Sequence, residues 1–134
     1  MPGTPNSVIL PQQPGNGLAT LTSPTAITSR ANITGTSGLV QLTPTTTAGK
    51  KVYQLSFKGK GSTAAGFVSL WRYNGTTSFL FDELPIVGAT PSTTVAAEAF
   101  TRTYANLTLG PTEQLFVSVT VTQDLTVFAE AADL

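Results

Sequence analysis

Along residues 51–58 large side chains alternate with polar ones, Tyr53, Leu55 and Phe57 against Gln54, Ser56 and Lys58. That is the two-residue period of a strand with one face buried. The same period recurs over residues 114–121, where Leu115, Val117, Val119 and Val121 share a face. Shorter β-favouring runs at 39–43, 95–104 and 125–130 are separated by turn residues, among them Gly59-Lys60-Gly61-Ser62 and Gln123-Asp124. Ala96 to Ala99 suit a helix, but the alternation and β-branched neighbours of that run favour a strand. No stretch carries the helical period, and the pattern predicts about seven short strands in an all-β, antiparallel β-sandwich of jelly-roll-like type.

Residues 65–86 are the clearest local signal. Two aromatic and β-branched runs flank Asn74-Gly75, the dipeptide most suited to a type I′ turn, and so predict a β-hairpin. Alternation places Phe67, Ser69, Trp71 and Tyr73 on one face, with Gly66, Val68, Leu70 and Arg72 on the other. Both faces carry apolar residues, so one is expected to pack inside the domain and the other, through Val68, Leu70 and Arg72, against a neighbouring subunit. Trp71 beside Tyr73 reads as a packing residue before it reads as a sugar-stacking platform.

The amino-terminal part differs. No aromatic residue occurs before Tyr53, and Pro2, Pro5, Pro11, Pro14 and Pro24 punctuate its first part. Proline fixes φ and removes a ladder donor, so residues 1–30 are expected to form an extended arm and residues 31–134 the sandwich domain. Val8, Ile9 and Leu10 are the arm's apolar anchor, and Arg30 stands at its end.

Charge sharpens this picture. Only 10% of the 134 residues are charged, with no net charge and no cysteine. Stability must therefore come from the β core and from association, without disulfides. Six basic residues and no acid precede Asp82; from Asp82 onward there are seven acids and Arg102, so the two parts carry +6 and −6. Interleaved strands mixing both signs are one reading, and complementary faces on neighbouring subunits the other. Seven basic residues offset by as many acids make a thin footprint for phosphate, which argues against nucleic-acid binding. No apolar run approaches the roughly 18–20 residues of a membrane span, and the start lacks the charged and apolar regions of a secretory signal. A soluble, unprocessed protein with no membrane partner is expected.

Candidate chemistry is scant. Without histidine or cysteine the usual nucleophile–base pairs and common transition-metal sites are missing, and no phosphate-loop, calcium-loop or dinucleotide pattern occurs. Asp82 and Glu83 are adjacent on a predicted strand, so they should point to opposite faces and cannot share one site. The expectation is a non-enzyme with no cofactor and no metal. Three Asn-X-Thr sequons, at Asn32, Asn74 and Asn106, are ordinary coincidences in a threonine-rich chain.

The residues quoted so far also carry a resemblance. Ala65-Gly66, Val68, Leu70, Asn74-Gly75, Leu80, Glu83 and Pro85, the Pro91-Ser92 turn, and an ending with Ala129-Glu130 and Asp133-Leu134 resemble the small decoration, or cement, proteins of tailed-phage heads. The likeness spans about half the chain, rests on turn and core positions, and does not extend into the arm. It implies an accessory protein made in the bacterial host cytoplasm that binds the major capsid protein on the outer surface of the virion as a homotrimer and stabilises the lattice. On that expectation Val8, Ile9, Leu10 and Arg30 are the capsid-contact candidates, and Val68, Leu70 and Arg72 the subunit-contact candidates. The competing expectation is a receptor- or carbohydrate-binding β domain of a tail fibre, with Trp71 facing a glycan.

Overall fold

The computed structural model describes residues 13–134. The candidate anchor Val8, Ile9 and Leu10 lies outside the described residues. Ten strands follow in order: β1 Gln13–Pro14, β2 Gly17–Leu21, β3 Ile33–Thr34, β4 Val40–Gln41, β5 Lys50–Gly59, β6 Gly66–Tyr73, β7 Thr77–Ile86, β8 Ala99–Leu109, β9 Gln114–Val119 and β10 Leu125–Asp133. They form two antiparallel sheets, consistent with the all-β sandwich expected from the sequence. In the first sheet β10 is flanked on one side by β1 and β2 and on the other by β5, which in turn pairs with β8. The second runs β3-β7-β6-β9-β4. From β4 onward the chain changes sheet at almost every connection, and only β6 and β7 are successive partners in one sheet.

The inward-facing residues of both sheets make one core. Val52, Leu55, Phe57, Val127 and Leu125 meet Val68, Leu70, Leu84, Leu115, Val117 and Val119, with Phe81, Phe100 and Tyr104 packed at its margin. The expected alternation in β5 holds for Leu55 and Phe57 but not for Tyr53, which is 39% exposed while Val52 is buried. The cause is a bulge: pairing with β10 passes from Gln54 to Val52, and pairing with β8 shifts at the same place, so Tyr53 has no partner in either ladder. One unpaired residue turns the following side chains to the other face.

Two further expectations are corrected. Gly75 has φ +101°, but Asn74 is not in the left-handed region, as a type I′ turn demands. Instead the Asn74 carboxamide oxygen accepts from the Thr76 amide (3.0 Å), the Thr76 hydroxyl (3.0 Å) and the Thr77 amide (2.8 Å). The side chain thus replaces the backbone in closing the β6–β7 hairpin. The division at residue 30 also fails: Gly17–Leu21 pairs along β10 from Ala129 to Leu125, and Ala19 and Leu21 are in the core. Alanine and threonine give this strand so little apolar contrast that its alternation is faint.

The second sheet cannot be flat. β3 and β4 sit at its opposite edges, which in a flat five-stranded sheet stand about 19 Å apart. Residues 35–39 join them, and a turn in which the Leu39 amide bonds the Thr36 carbonyl (3.0 Å) shortens their reach. The sheet therefore curls, drawing its edges closer than in a flat sheet, with one face toward the main core and the other on the far side.

Because β2 supplies core residues, a chain lacking residues 2–24 should lose cooperative unfolding in urea, and Leu21→Ala should cost roughly 2–5 kcal/mol. Equilibrium denaturation followed by circular dichroism tests both; a Leu21→Ala chain as stable as the parent would contradict the placement of β2.

Candidate functional surfaces

Trp71 lies on that far side. On β9, Leu115, Val117 and Val119 face the core, so Phe116 and Ser118 face away, and Trp71 is directly opposite Phe116. The indole is nonetheless 0% exposed and donates to the Ser118 hydroxyl at 2.9 Å. Tyr73 meets Phe116 edge to face, 5.5 Å between ring centroids. A residue on the outer side of a sandwich is buried only where chain lies over it, and the stretch between β2 and β4 is fastened to both edges of this sheet. The Ile27 amide bonds the Val119 carbonyl (2.9 Å), the Gly35 amide bonds the Thr76 carbonyl (2.7 Å), and the Ser78 hydroxyl bonds the Gly35 carbonyl (2.6 Å). The indole is thus fully enclosed and cannot act as a stacking platform for a ligand.

The sequence-predicted contact residues separate. Val68 and Leu70 are wholly buried between the two sheets of their own chain, which corrects their assignment to a subunit surface. The hairpin is apolar on both faces because Val68 and Leu70 enter the core while Trp71 is buried on the opposite face of the same domain. Arg72 remains at the surface: its Nε and Nη2 donate to the two oxygens of Glu113 (2.6 and 2.9 Å), and Nη2 also reaches the Thr108 carbonyl (2.7 Å). Arg30 is exposed and donates through Nε to Glu83 at 2.9 Å.

Asp82 and Glu83 do point apart. Asp82 turns toward β8, where Arg102 Nη1 donates to Oδ1 (2.6 Å) and the Tyr104 hydroxyl to Oδ2 (2.5 Å), while Glu83 takes Arg30 on the outer side. Burial raises the Asp82 pKa, but the hydrogen bonds from Tyr104, Arg102 and the Glu83 amide outweigh it and hold the carboxyl below its ordinary value. Burial, reinforced by the Asp82 carboxylate, pushes the Tyr104 phenol far up, so it stays a donor. Glu98 accepts from the Thr63 hydroxyl (2.7 Å) and the amides of Val87 (2.8 Å) and Gly88 (2.9 Å). Those bonds outweigh the opposing effect of burial and lower its pKa. The hydrogen bond from Arg72 lowers that of Glu113. Asp82, Glu83, Glu98 and Glu113 each tie one sheet or loop to the next; Asp82 and Glu83 line one open hollow with Phe67, Leu80 and Phe81, but each is engaged, by Arg102 with Tyr104 and by Arg30.

Among the described residues no group of three or more acidic, histidine or cysteine side chains is placed to hold a metal, and no helix is long and apolar enough to cross a membrane. An open hollow of about 460 Å³ lies between 60–64 and 122–124, with Lys60 and Asp124 its only ionisable lining residues, and the one lined by Phe67, Leu80, Phe81, Asp82 and Glu83 also measures about 460 Å³. The walls of the first bond to each other, Gln123 donating to and accepting from the Ala64 backbone (3.2 and 3.0 Å). A different surface was not foreseen: Leu18 (59% exposed) and Phe128 (42%) are cross-strand partners on the outer face of the first sheet, and Tyr53 (39%) bulges from the same sheet. Around them stand Thr20, Ser56 and Thr126, with Lys58 opposite Thr126, Glu130 two residues from Phe128 and Lys51 5.7 Å from the Tyr53 ring. No protein-family model matches the sequence, and no curated protein is detectably similar to it.

Two outcomes follow. Iodide should quench Trp71 fluorescence weakly in the native protein and strongly in urea; strong native quenching would place the indole at the surface. Asp82, Glu98 and Glu113 have folded pKa values below their unfolded values near about 4. The stability they contribute is therefore present above that pH and lost as pH falls through the folded values. The urea midpoint should hold between pH 7 and 5 and drop by pH 3, and an equal midpoint at pH 3 would refute the carboxylate ties.

Proposed function

We propose that the protein is a decoration, or cement, protein of a tailed-phage head, seated as a homotrimer on the outer surface of the capsid lattice and stabilising it through contacts with the major capsid protein. The observation that carries this reading is what the surface offers. Its paired charges are engaged in internal ties and its tryptophan is covered, leaving a broad strand face on which Leu18, Tyr53 and Phe128 stand among threonine and serine, with Lys51, Lys58 and Glu130 as its charged members. Such a face suits docking to another protein surface better than holding a small molecule.

The strand order supports the same reading. β2-β10-β5-β8 opposite β4-β9-β6-β7, with β6 and β7 the one hairpin, supports reading the β-sandwich as an eight-stranded jelly roll. That architecture recurs in viral capsid domains, although fold alone does not fix function. The resemblance of residues 62–92 and of the carboxyl-terminal residues to cement proteins points the same way. Mechanically the protein would clamp: each subunit contributes a modest apolar contact, and a trimer engaging several capsid subunits gains attachment through effective concentration.

Gold-labelled antibody on native particles is expected to decorate the head, and label confined to the tail tip would refute the reading. Replacing Phe128 by Asp on the exposed face should leave the circular dichroism unchanged and weaken co-sedimentation with undecorated heads by about tenfold or more, the scale of a lost interface anchor. Undiminished binding would remove this face from the contact.

A further inference from the structure

The longest strand has an open side. β8 is an edge of the first sheet and pairs only with β5; among the described residues no other strand lies beside it. Edges of this length are normally blunted by lysine, proline or a very short strand. β8 has eleven residues, no lysine and no proline, and its one charged side chain, Arg102, turns inward to Asp82 at 2.6 Å. Ala99, Thr101, Thr103 and Ala105 face outward and are exposed.

The sequence of this edge is nearly its own reverse. Ala99-Phe100-Thr101-Arg102-Thr103-Tyr104-Ala105 reads alike in both directions about Arg102. Two identical strands that meet about a two-fold axis run antiparallel, each residue facing its mirror position. Centred on Arg102, that register sets Ala99 against Ala105, Phe100 against Tyr104 and Thr101 against Thr103 of the second copy. Threonine pairs and aromatic pairs are favourable cross-strand neighbours, and like charges opposed are not. The two guanidinium groups at the axis are each compensated by their own Asp82, and each lies 5.4 Å from its own Phe100 ring centroid. Pairing with β5 is regular from Ala99 to Thr103, so the Thr101–Thr103 centre of the register is undistorted, while Tyr104 and Ala105 lie where the ladder shifts before Leu107.

We propose that the chain associates with a second copy of itself through the open edge of β8, antiparallel and centred on Arg102, joining the first sheets of two subunits into one. The inference does not rest on the capsid reading; in a trimeric protein the same edge would join one trimer to the next.

Sedimentation over a wide concentration range, at low salt, compares the native chain with T101K/T103K and T101K/T103E. The first double variant opposes lysine to lysine across the axis, and the second opposes lysine to glutamate twice. T101K/T103K should weaken the association by about tenfold or more, and T101K/T103E should restore it in a salt-sensitive way. Both positions are exposed, and unchanged circular dichroism establishes that the variants fold. Hydrogen exchange gives a second reading on the native chain: protection of amides in 99–105 should rise with protein concentration. Equal masses for all three proteins at every concentration, equal weakening by both variants, or concentration-independent exchange would each overturn the proposal.

Discussion

The ammonium of Lys50 is the point on which the first sheet depends. It is 2% exposed and is held by the Asp133 carboxylate, itself 23% exposed, at 2.6 Å and by the Gly15 carbonyl at 2.7 Å. Removing one partner would leave the other without its match in a largely enclosed position, which is costly. The contact joins the start of β5, the end of β10 and the break between β1 and β2. Gly15 passes so close that a Cβ there would collide with both charged groups. The pair also lies beyond the bulge at Tyr53, where the β5–β10 ladder has lost its phase. A strand that slips by one residue exposes its apolar set, and the Lys50–Asp133 pair fixes the register on the far side of that irregularity.

The same logic accounts for the lopsided charge along the chain. Arg30–Glu83, Lys50–Asp133 and Arg72–Glu113 each join the basic part to the acidic part, and Arg102–Asp82 adds a tie between the sheets. The complementarity is met within one domain, as interleaved strands would have it. Exposed pairs of this kind contribute little to stability individually. Their value here is positional, since Asp82 and Glu113 sit at the margins of the sandwich where apolar packing runs out.

The strand pattern was legible where apolar contrast was strong. Leu55 and Phe57 in β5, the alternation of Leu115, Val117 and Val119 in β9, and the β6–β7 hairpin all follow from the two-residue period. Tyr53 did not, because a bulge changes phase without leaving any mark in composition. β2 was hidden by alanine and threonine, which alternate in burial but hardly in hydropathy. Of the candidate contact residues, Arg30 and Arg72 could be recognised as surface groups, whereas Val68 and Leu70 were assigned to the wrong partner. An apolar strand face is compatible with another subunit or with another layer of the same chain, and only the topology decides. The exposed Leu18–Phe128 pair was invisible for a related reason, since it depends on two strands brought together from opposite ends of the described chain.

That pairing has a temporal side. The Asn16 carboxamide accepts from the amide of Ala131, 115 residues further on, and among the described residues β2 finds its only strand partner in β10. During synthesis β2 must wait, unpaired, until β10 has left the ribosome. Contacts of such long range make folding slow, and until β10 arrives β5 also lacks one of its neighbours. The nascent chain therefore passes through a stage in which adjacent strands of the first sheet are open to pairing with other chains, and its yield should depend on how crowded that stage is.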